Sequence, residues 1–132
     1  MVRYLTETEV ERLNQLILER YSPDEIKGVK DYSLLRSALG RPKQSAFLDE
    51  AYDTVWLKAA ALFESLTQNH PFHNGNKRTG FSAMKQFLWL NGDRLTASEE
   101  EAEFFTVYIV TEKPSTEEIA KWIERHSIYR NG

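Results

Sequence analysis

The sequence ALFESLTQNHPFHNGNKRTGFSAMKQFLWLNG, residues 61–92, carries two helical patterns separated by a short polar segment. Apolar residues recur three or four positions apart on both sides, which is typical of amphipathic helices. The predicted helices run from Asp49 to about Gln68 and from Asn76 to Asn91. The polar segment contains a proline and a glycine, which interrupt helices. The sequence therefore predicts a helix–loop–helix unit whose loop is residues 70–76.

The remaining chain is also mostly helical in pattern. A capping-box spacing at Thr6 and Glu9 predicts a first helix, and similar polar starts at Ser98 and Ser115 predict the last two. The apolar set of the first helix is predicted to be Val10, Leu13, Leu16 and Ile17. A short helix is predicted from Tyr32 to Leu39. Residues 41–48 lack a helical period, which predicts a loop or short hairpin. About six helices and no strand predict an all-α bundle.

Length and composition exclude several classes of protein. The chain has 132 residues, so a single domain over residues 1–132 is expected. It has no cysteine, which excludes disulfides and thiolate metal sites and is compatible with the cytoplasm. The net charge of −3 does not favour nucleic-acid binding. No apolar run approaches the ~20 residues of a membrane span, so no membrane partner is expected.

The predicted loop and the start of the next helix combine features suited to a phosphate ligand. Gly75 lets the backbone approach a ligand closely. The first N–H groups of the following helix lack intrahelical partners and attract anions. Lys77 and Arg78 add positive charge there. A histidine such as His70 can accept a proton from a hydroxyl at neutral pH. Phe72, apolar within a polar segment, is expected to anchor the loop in the core.

Two other interpretations of this segment are weaker. His70 and His73 are three residues apart, as in some zinc sites, but no third nitrogen or sulfur ligand is near in sequence. Residues 75–79 partly match the end of a P-loop, yet the spacing of that motif is absent and no strand precedes it. Taken singly, each of these side chains is more often a cap, a solvated charge or core. Their combination within ten residues favours phosphate chemistry.

The segment resembles the signature of the Fic/Doc family, H-P-F-x-[D/E]-G-N-[G/K]-R. The match comprises His70, Pro71, Phe72, Gly75, Asn76, Lys77 and Arg78. Residues 31–42 and 87–92 are similar to the Doc branch. The resemblance implies an all-α core and transfer from a nucleotide to a protein hydroxyl. It implies His70 as general base and Phe72 as loop anchor. The implied phosphate-binding turn is Gly75, Asn76, Lys77 and Arg78.

Two residues distinguish the branches of this family. AMP-transferring members usually have glycine at the position of Lys77 and a second arginine at the position of Phe81. Both departures are similar to the Doc branch, which transfers the γ-phosphate of ATP to a translation elongation factor and arrests translation. The resemblance therefore favours a kinase-like toxin. AMP transfer to a protein hydroxyl is the alternative.

Asn74 departs from the family pattern, which usually has an acid there to hold Mg²⁺. Its neutral carbonyl oxygen is a weaker ligand for a hard cation. Mg²⁺ is then expected to be held mainly by the nucleotide phosphates. A catalytically inactive binding module is the second alternative.

The resemblance also implies partners. The loop at Arg41, Pro42, Lys43, Gln44 and Ser45 is placed in the sequence like the flap that positions the target protein in this family. Many members carry an inhibitory helix with the pattern [S/T]-x-x-x-E-[G/N], and this chain has no match. An antitoxin supplied as a separate chain is therefore expected.

Overall fold

The computed structural model of the chain describes residues 1–47 and 49–130, and within them it contains six α-helices. They are α1 (Glu7–Tyr21), α2 (Tyr32–Gly40), α3 (Val55–Asn69), α4 (Asn76–Leu90), α5 (Glu99–Glu112) and α6 (Thr116–Arg125). The predicted all-α class is confirmed. Leu48, at the end of the predicted loop, and the last two residues of the predicted domain lie outside the described residues.

Polar caps start the helices where the sequence predicted them. Thr6 and Ser98 each accept a hydrogen bond from the backbone N–H three residues later, and each forms a complete capping box. Ser115 accepts one from Glu118 in the same way. These bonds satisfy helix N–H groups that have no intrahelical partner, so they fix where each helix begins.

Helix α3 lies at the centre of the fold. Helices α2, α4, α5 and α6 all pack against it, with α4 as its main neighbour. The consecutive residues 58–63 are buried, so α3 is enclosed on several faces rather than along one stripe. A helix held on several faces has little freedom to move. The loop between α3 and α4 therefore joins the two helices that pack most extensively against each other.

The buried stripe of α1 differs from the predicted one. Its buried residues are Val10, Asn14 and Leu18, spaced four apart. Leu16 is exposed instead. The prediction followed the apolar residues alone, whereas the face turned to the core includes an asparagine.

The chain before α3 also differs from the prediction. The predicted helix start at Asp49 is wrong, because Asp49–Glu50 (β2) pairs antiparallel with Ser45–Ala46 (β1) in a small hairpin. Helix α3 begins six residues later, where Thr54 accepts a hydrogen bond from the backbone N–H of Leu57 at 3.0 Å. The cap at Thr54 marks the true start, and the hairpin matches the alternative predicted for residues 41–48.

A second strand pair was not predicted. Asp93–Leu95 (β3) pairs antiparallel with Ser127–Tyr129 (β4), which ties the end of α4 to the end of α6. Strands of three residues are too short to show an alternating pattern, and this pairing joins distant parts of the chain. Within the described residues, no helix is long and apolar enough to cross a membrane.

Candidate active site

The loop between α3 and α4 begins at a left-handed residue. His70 has φ +53° and ends α3, and its side chain is exposed. Pro71 follows and is buried. The next side chain, Phe72, is 1% exposed and belongs to the core cluster. The loop is thus anchored in the core two residues after the exposed imidazole, which limits how far the imidazole can move.

Asn76 closes the loop through its side chain. Its Oδ1 accepts a hydrogen bond from the backbone N–H of Phe72, and its Nδ2 donates to the carbonyl of Phe72, both at 3.0 Å. The side-chain amide of Asn76 thus pairs with the backbone of Phe72 as a residue of a neighbouring strand would. Because both ends of the amide contact the loop, Asn76 contributes to a ligand site through its backbone N–H rather than its side chain.

The segment before α2 lies alongside the loop. The backbone N–H groups of Lys30 and Asp31 donate to the carbonyl of Pro71 at 2.8 and 3.1 Å. Val29 forms a β-bridge with Phe72, and the N–H of His73 donates to the carbonyl of Gly28 at 3.1 Å. A short stretch of extended chain therefore borders the loop. We name residues 26–31 the bordering segment.

Asn74 and Gly75 are held from two sides. Asn74 donates through Nδ2 to the carbonyl of Ile26 at 3.0 Å, which leaves its Oδ1, the atom that can bind a cation, outside that bond. Its backbone carbonyl accepts a hydrogen bond from Nδ2 of Asn14 in α1 at 2.9 Å. Gly75 has φ +75°, a left-handed conformation that favours glycine. The turn into α4 is consequently well defined.

The first turn of α4 presents unpaired N–H groups. The first intrahelical bond is from the N–H of Thr79 to the carbonyl of Gly75, at 2.9 Å. No side chain caps this helix, and within the described residues no hydrogen bond uses the N–H groups of Asn76, Lys77 or Arg78. Together with the helix dipole, these groups can attract an anion, and we name them the candidate anion site.

Two cations flank this anion site. The side chains of Lys77 and Arg78 are exposed. The guanidinium carbon of Arg78 lies 4.1 Å from the ring centroid of Tyr21, at the end of α1. Such a cation–π contact holds the guanidinium near the turn without neutralising its charge. His70, the free N–H groups and both cations thus lie within a nine-residue stretch whose backbone is fixed.

A sequence model of the Fic/DOC family matches residues 4–88, more than half of the chain. The chain belongs to the Fic/DOC family. It is also 46% identical over 69 residues to toxin Doc of Mycolicibacterium smegmatis (strain ATCC 700084 / mc(2)155). That similarity covers 52% of this chain and 53% of toxin Doc, so the chain spans about half the length of this curated relative. The family predicted from residues 70–79 is confirmed.

Within the described residues, no hydrogen bond or ion pair joins the predicted Fic/Doc flap to the loop between α3 and α4. Arg41 begins a 3-10 helix, Arg41–Lys43, and its guanidinium donates to Tyr52, Glu64 and Thr116. Burial opposes the charge on Arg41, but the hydrogen bonds to Tyr52 and Glu64 outweigh it, and the pKa of Arg41 is raised. Arg41 therefore joins the hairpin region to α3 and α6, and its side chain does not face a ligand.

The other four predicted flap residues lie in the same region. Pro42 is buried, and the Lys43 ammonium is 5.3 Å from the ring centroid of Tyr4. Gln44 and Ser45 pair with the chain just before α3. The bordering segment adjoins the loop through backbone hydrogen bonds, and a flap role for residues 41–45 stays a prediction.

Sequence reasoning missed the bordering segment and Asn14. The bordering segment has no local signal, because its pairing joins residues about 45 positions apart. Asn14 did have a signal, since it stands four residues after Val10 and four before Leu18. A polar side chain on a buried apolar face destabilises the fold unless it forms hydrogen bonds, so its presence indicates a hydrogen-bonding partner.

Proposed function

We propose that this protein transfers the γ-phosphate of ATP to a hydroxyl of a target protein, as a Doc-type toxin. The observation that carries the proposal is the set of cations at the anion site. Lys77 and Arg78 lie at the first turn of α4, whereas Phe81, at the position of a second arginine in AMP-transferring relatives, packs edge-on against Phe63 at 5.7 Å between ring centroids. No third cation thus follows one turn later to orient the nucleotide for attack at the α-phosphate.

The site supports a simple reaction. The N–H groups of Asn76, Lys77 and Arg78 bind phosphate oxygens, and the two cations stabilise the negative charge on them. The imidazole of His70 accepts the proton of the target hydroxyl as its oxygen bonds to the γ-phosphorus. The bond between that phosphorus and the β–γ bridging oxygen breaks, and ADP leaves. The products are a phosphorylated protein, ADP and one proton.

The residues fit Mg²⁺ only as an ion carried by the nucleotide. Within the described residues, no cluster of three histidine or acidic side chains can hold a metal. Asn74 Oδ1 takes no part in the hydrogen bond to Ile26, so this oxygen could approach an ion carried by the phosphates. Mg²⁺ commonly retains several waters and binds substrate phosphates, so a single neutral protein oxygen is compatible with it. When bound, the ion would neutralise part of the phosphate charge.

The target and the regulator belong to the same proposal. The resemblance to the Doc branch implies a translation elongation factor as the target, which would place the reaction in the cytoplasm. The bordering segment, which adjoins the loop, is the element best placed to hold an extended piece of the target. The regulator would be an antitoxin supplied as a separate chain.

The decisive experiment uses ATP labelled at either the γ or the α phosphorus. The purified protein is incubated with lysate and with purified elongation factor, next to two variants, His70→Ala and His73→Ala. Both histidines are exposed in the same loop, so the second variant is a matched control. Label from γ that disappears only in His70→Ala is the expected result. Label from α means AMP transfer, and no label in any arm favours an inactive binding module.

The toxin assignment has a separate test in cells. Expression of the wild-type chain is expected to arrest growth and translation, whereas His70→Ala is expected to be tolerated at equal protein levels. Equal tolerance of both proteins would contradict a toxin. Equal arrest by both would contradict His70 as the base.

A further inference from the structure

Asn14 is a buried polar residue on an otherwise apolar face of α1. It is 1% exposed and stands between Val10 and Leu18 on the buried stripe of α1. A buried amide is destabilising unless its polar atoms have partners. Its partners lie 60 and 65 residues further along the chain, in the loop and the first turn of α4. This asparagine therefore connects α1 to the candidate active site.

The two hydrogen bonds of Asn14 flank the anion site. Nδ2 donates to the carbonyl of Asn74 at 2.9 Å and to Oγ1 of Thr79 at 3.1 Å. An amide nitrogen has two hydrogens, so one donor group serves both acceptors. The three unpaired N–H groups belong to residues 76–78, which lie between these acceptors. A single side chain thus holds both ends of the stretch that would bind phosphate.

Gly75 rests directly on the same side chain. A Cβ built on Gly75 would lie 3.3 Å from Nδ2 of Asn14 and 3.3 Å from Cδ2 of Leu18. The backbone of the turn is therefore in close contact with α1, and a side chain at Gly75 would require Asn14 or Leu18 to shift by a few tenths of an ångström. This contact sets the distance between the turn and α1, and the two hydrogen bonds of Asn14 set the orientation of the turn.

We infer that Asn14 is a positioning residue that preorganises residues 76–78 for phosphate binding. The inference rests on the proposed function, since it assigns the ligand of that site. N–H groups that already point toward a ligand need not be reordered when it binds, so affinity rises without any new contact. His70 is positioned separately, by α3 and by the burial of Phe72. Loss of Asn14 should consequently weaken nucleotide binding more than it slows the chemical step.

The test compares two asparagines at opposite ends of α4. Asn14→Leu keeps the branched shape and the number of non-hydrogen side-chain atoms and makes the α1 stripe fully apolar, so the variant is expected to fold; Asn14→Ala is the companion variant that adds no bulk. Asn91→Ala is the control, because Asn91 also donates through Nδ2 to two carbonyls, those of Arg3 and Phe87, far from the loop. The Kd for ATP is expected to rise about tenfold in Asn14→Leu and to stay within about twofold of wild type in Asn91→Ala. The kcat for target modification should change less than about twofold in both.

A second measurement does not depend on the activity. Exchange of the Thr79 backbone N–H, which donates to the carbonyl of Gly75, is followed by NMR in the protein without nucleotide. Exchange relative to the centre of α4 should accelerate in Asn14→Leu and in Asn14→Ala but not in Asn91→Ala. Unchanged exchange in both Asn14 variants would overturn the inference, as would a wild-type Kd for ATP. If the wild-type protein binds no ATP, the proposed function fails, and the exchange result alone decides whether Asn14 positions the turn.

Discussion

Gly80 in α4 lies directly against α3, so an added methyl group there tests the packing of these two helices. A Cβ built on Gly80 would lie 2.7 Å from Cγ2 of Thr67, which is shorter than real contacts. Thr67 is fully buried, and its hydroxyl donates to the carbonyls of Phe63 and Glu64, so it cannot rotate away without losing those bonds. Gly80→Ala therefore forces the two helices apart.

The magnitude follows from two opposing effects. Overpacking a filled core costs about 1–3 kcal/mol, and a fixed neighbour points to the upper part of that range. Alanine stabilises a helix interior by about 1 kcal/mol relative to glycine. The net expectation for Gly80→Ala is a free energy of unfolding lowered by about 1–2 kcal/mol. For a chain of this length that corresponds to a Tm lowered by roughly 3–8 °C.

The assay is a double-mutant cycle with Thr67→Ser, measured by urea unfolding and thermal melting. Serine keeps the hydroxyl of Thr67 and removes the methyl group that would collide. In the Thr67→Ser background, Gly80→Ala should therefore stabilise the protein by up to about 1 kcal/mol. A change of sign between the two backgrounds is the expected result. A Gly80→Ala effect that is the same in both backgrounds, or stabilising in the wild-type background, would refute the steric argument.

Three further predictions concern other parts of the fold. Asn74→Asp should raise transfer activity at low Mg²⁺, because a carboxylate binds a hard cation better than an amide does. If the dependence of activity on Mg²⁺ concentration is unchanged in this variant, Oδ1 of Asn74 does not bind the metal. Arg41→Ala should lower the free energy of unfolding by about 2 kcal/mol, since Glu64 loses its cationic partner in a mostly buried pair and keeps the hydroxyl of Thr116. The Kd for ATP should stay unchanged, and a large change in Kd would place Arg41 at the nucleotide site. The hydrogen bond from Arg3, with that from the backbone of Thr6, lowers the pKa of Glu9 from its ordinary 4.5 to about 2. The folded state thus favours the ionised carboxylate of Glu9, whose stabilising contribution is complete above about pH 4.5 and is lost as the pH falls toward 2. Glu9→Gln should therefore reduce the loss of unfolding free energy between these two pH values. An unchanged pH dependence in that variant would contradict the lowered pKa of Glu9.

Local signals in the sequence were sufficient for the helices and for the loop. Thr6 and Ser98 identify helix starts because the side chain that caps a helix stands three residues from the N–H it binds. The loop was recognisable for the same reason. Pro71 interrupts a helical pattern and Gly75 permits a left-handed turn, and both effects arise within a few residues.

The contacts that complete the site could not be predicted in this way. The bordering segment meets the loop through backbone hydrogen bonds, which do not depend on side-chain identity, so residues 26–31 carry no pattern that points to residues 71–74.

Some residues of the candidate site hold the loop in place, and other groups are left to contact a ligand. The side chains of Phe72 and Asn76 hold the loop, so neither is available to contact a phosphate. The Nδ2 of Asn74 also holds the loop, and only its Oδ1 lies outside that hydrogen bond. Binding then depends on backbone N–H groups, whose direction is set by the conformation of the turn rather than by any one residue of it. We therefore expect Asn14, which lies outside the signature, to influence nucleotide affinity through the direction of the backbone N–H groups of residues 76–78.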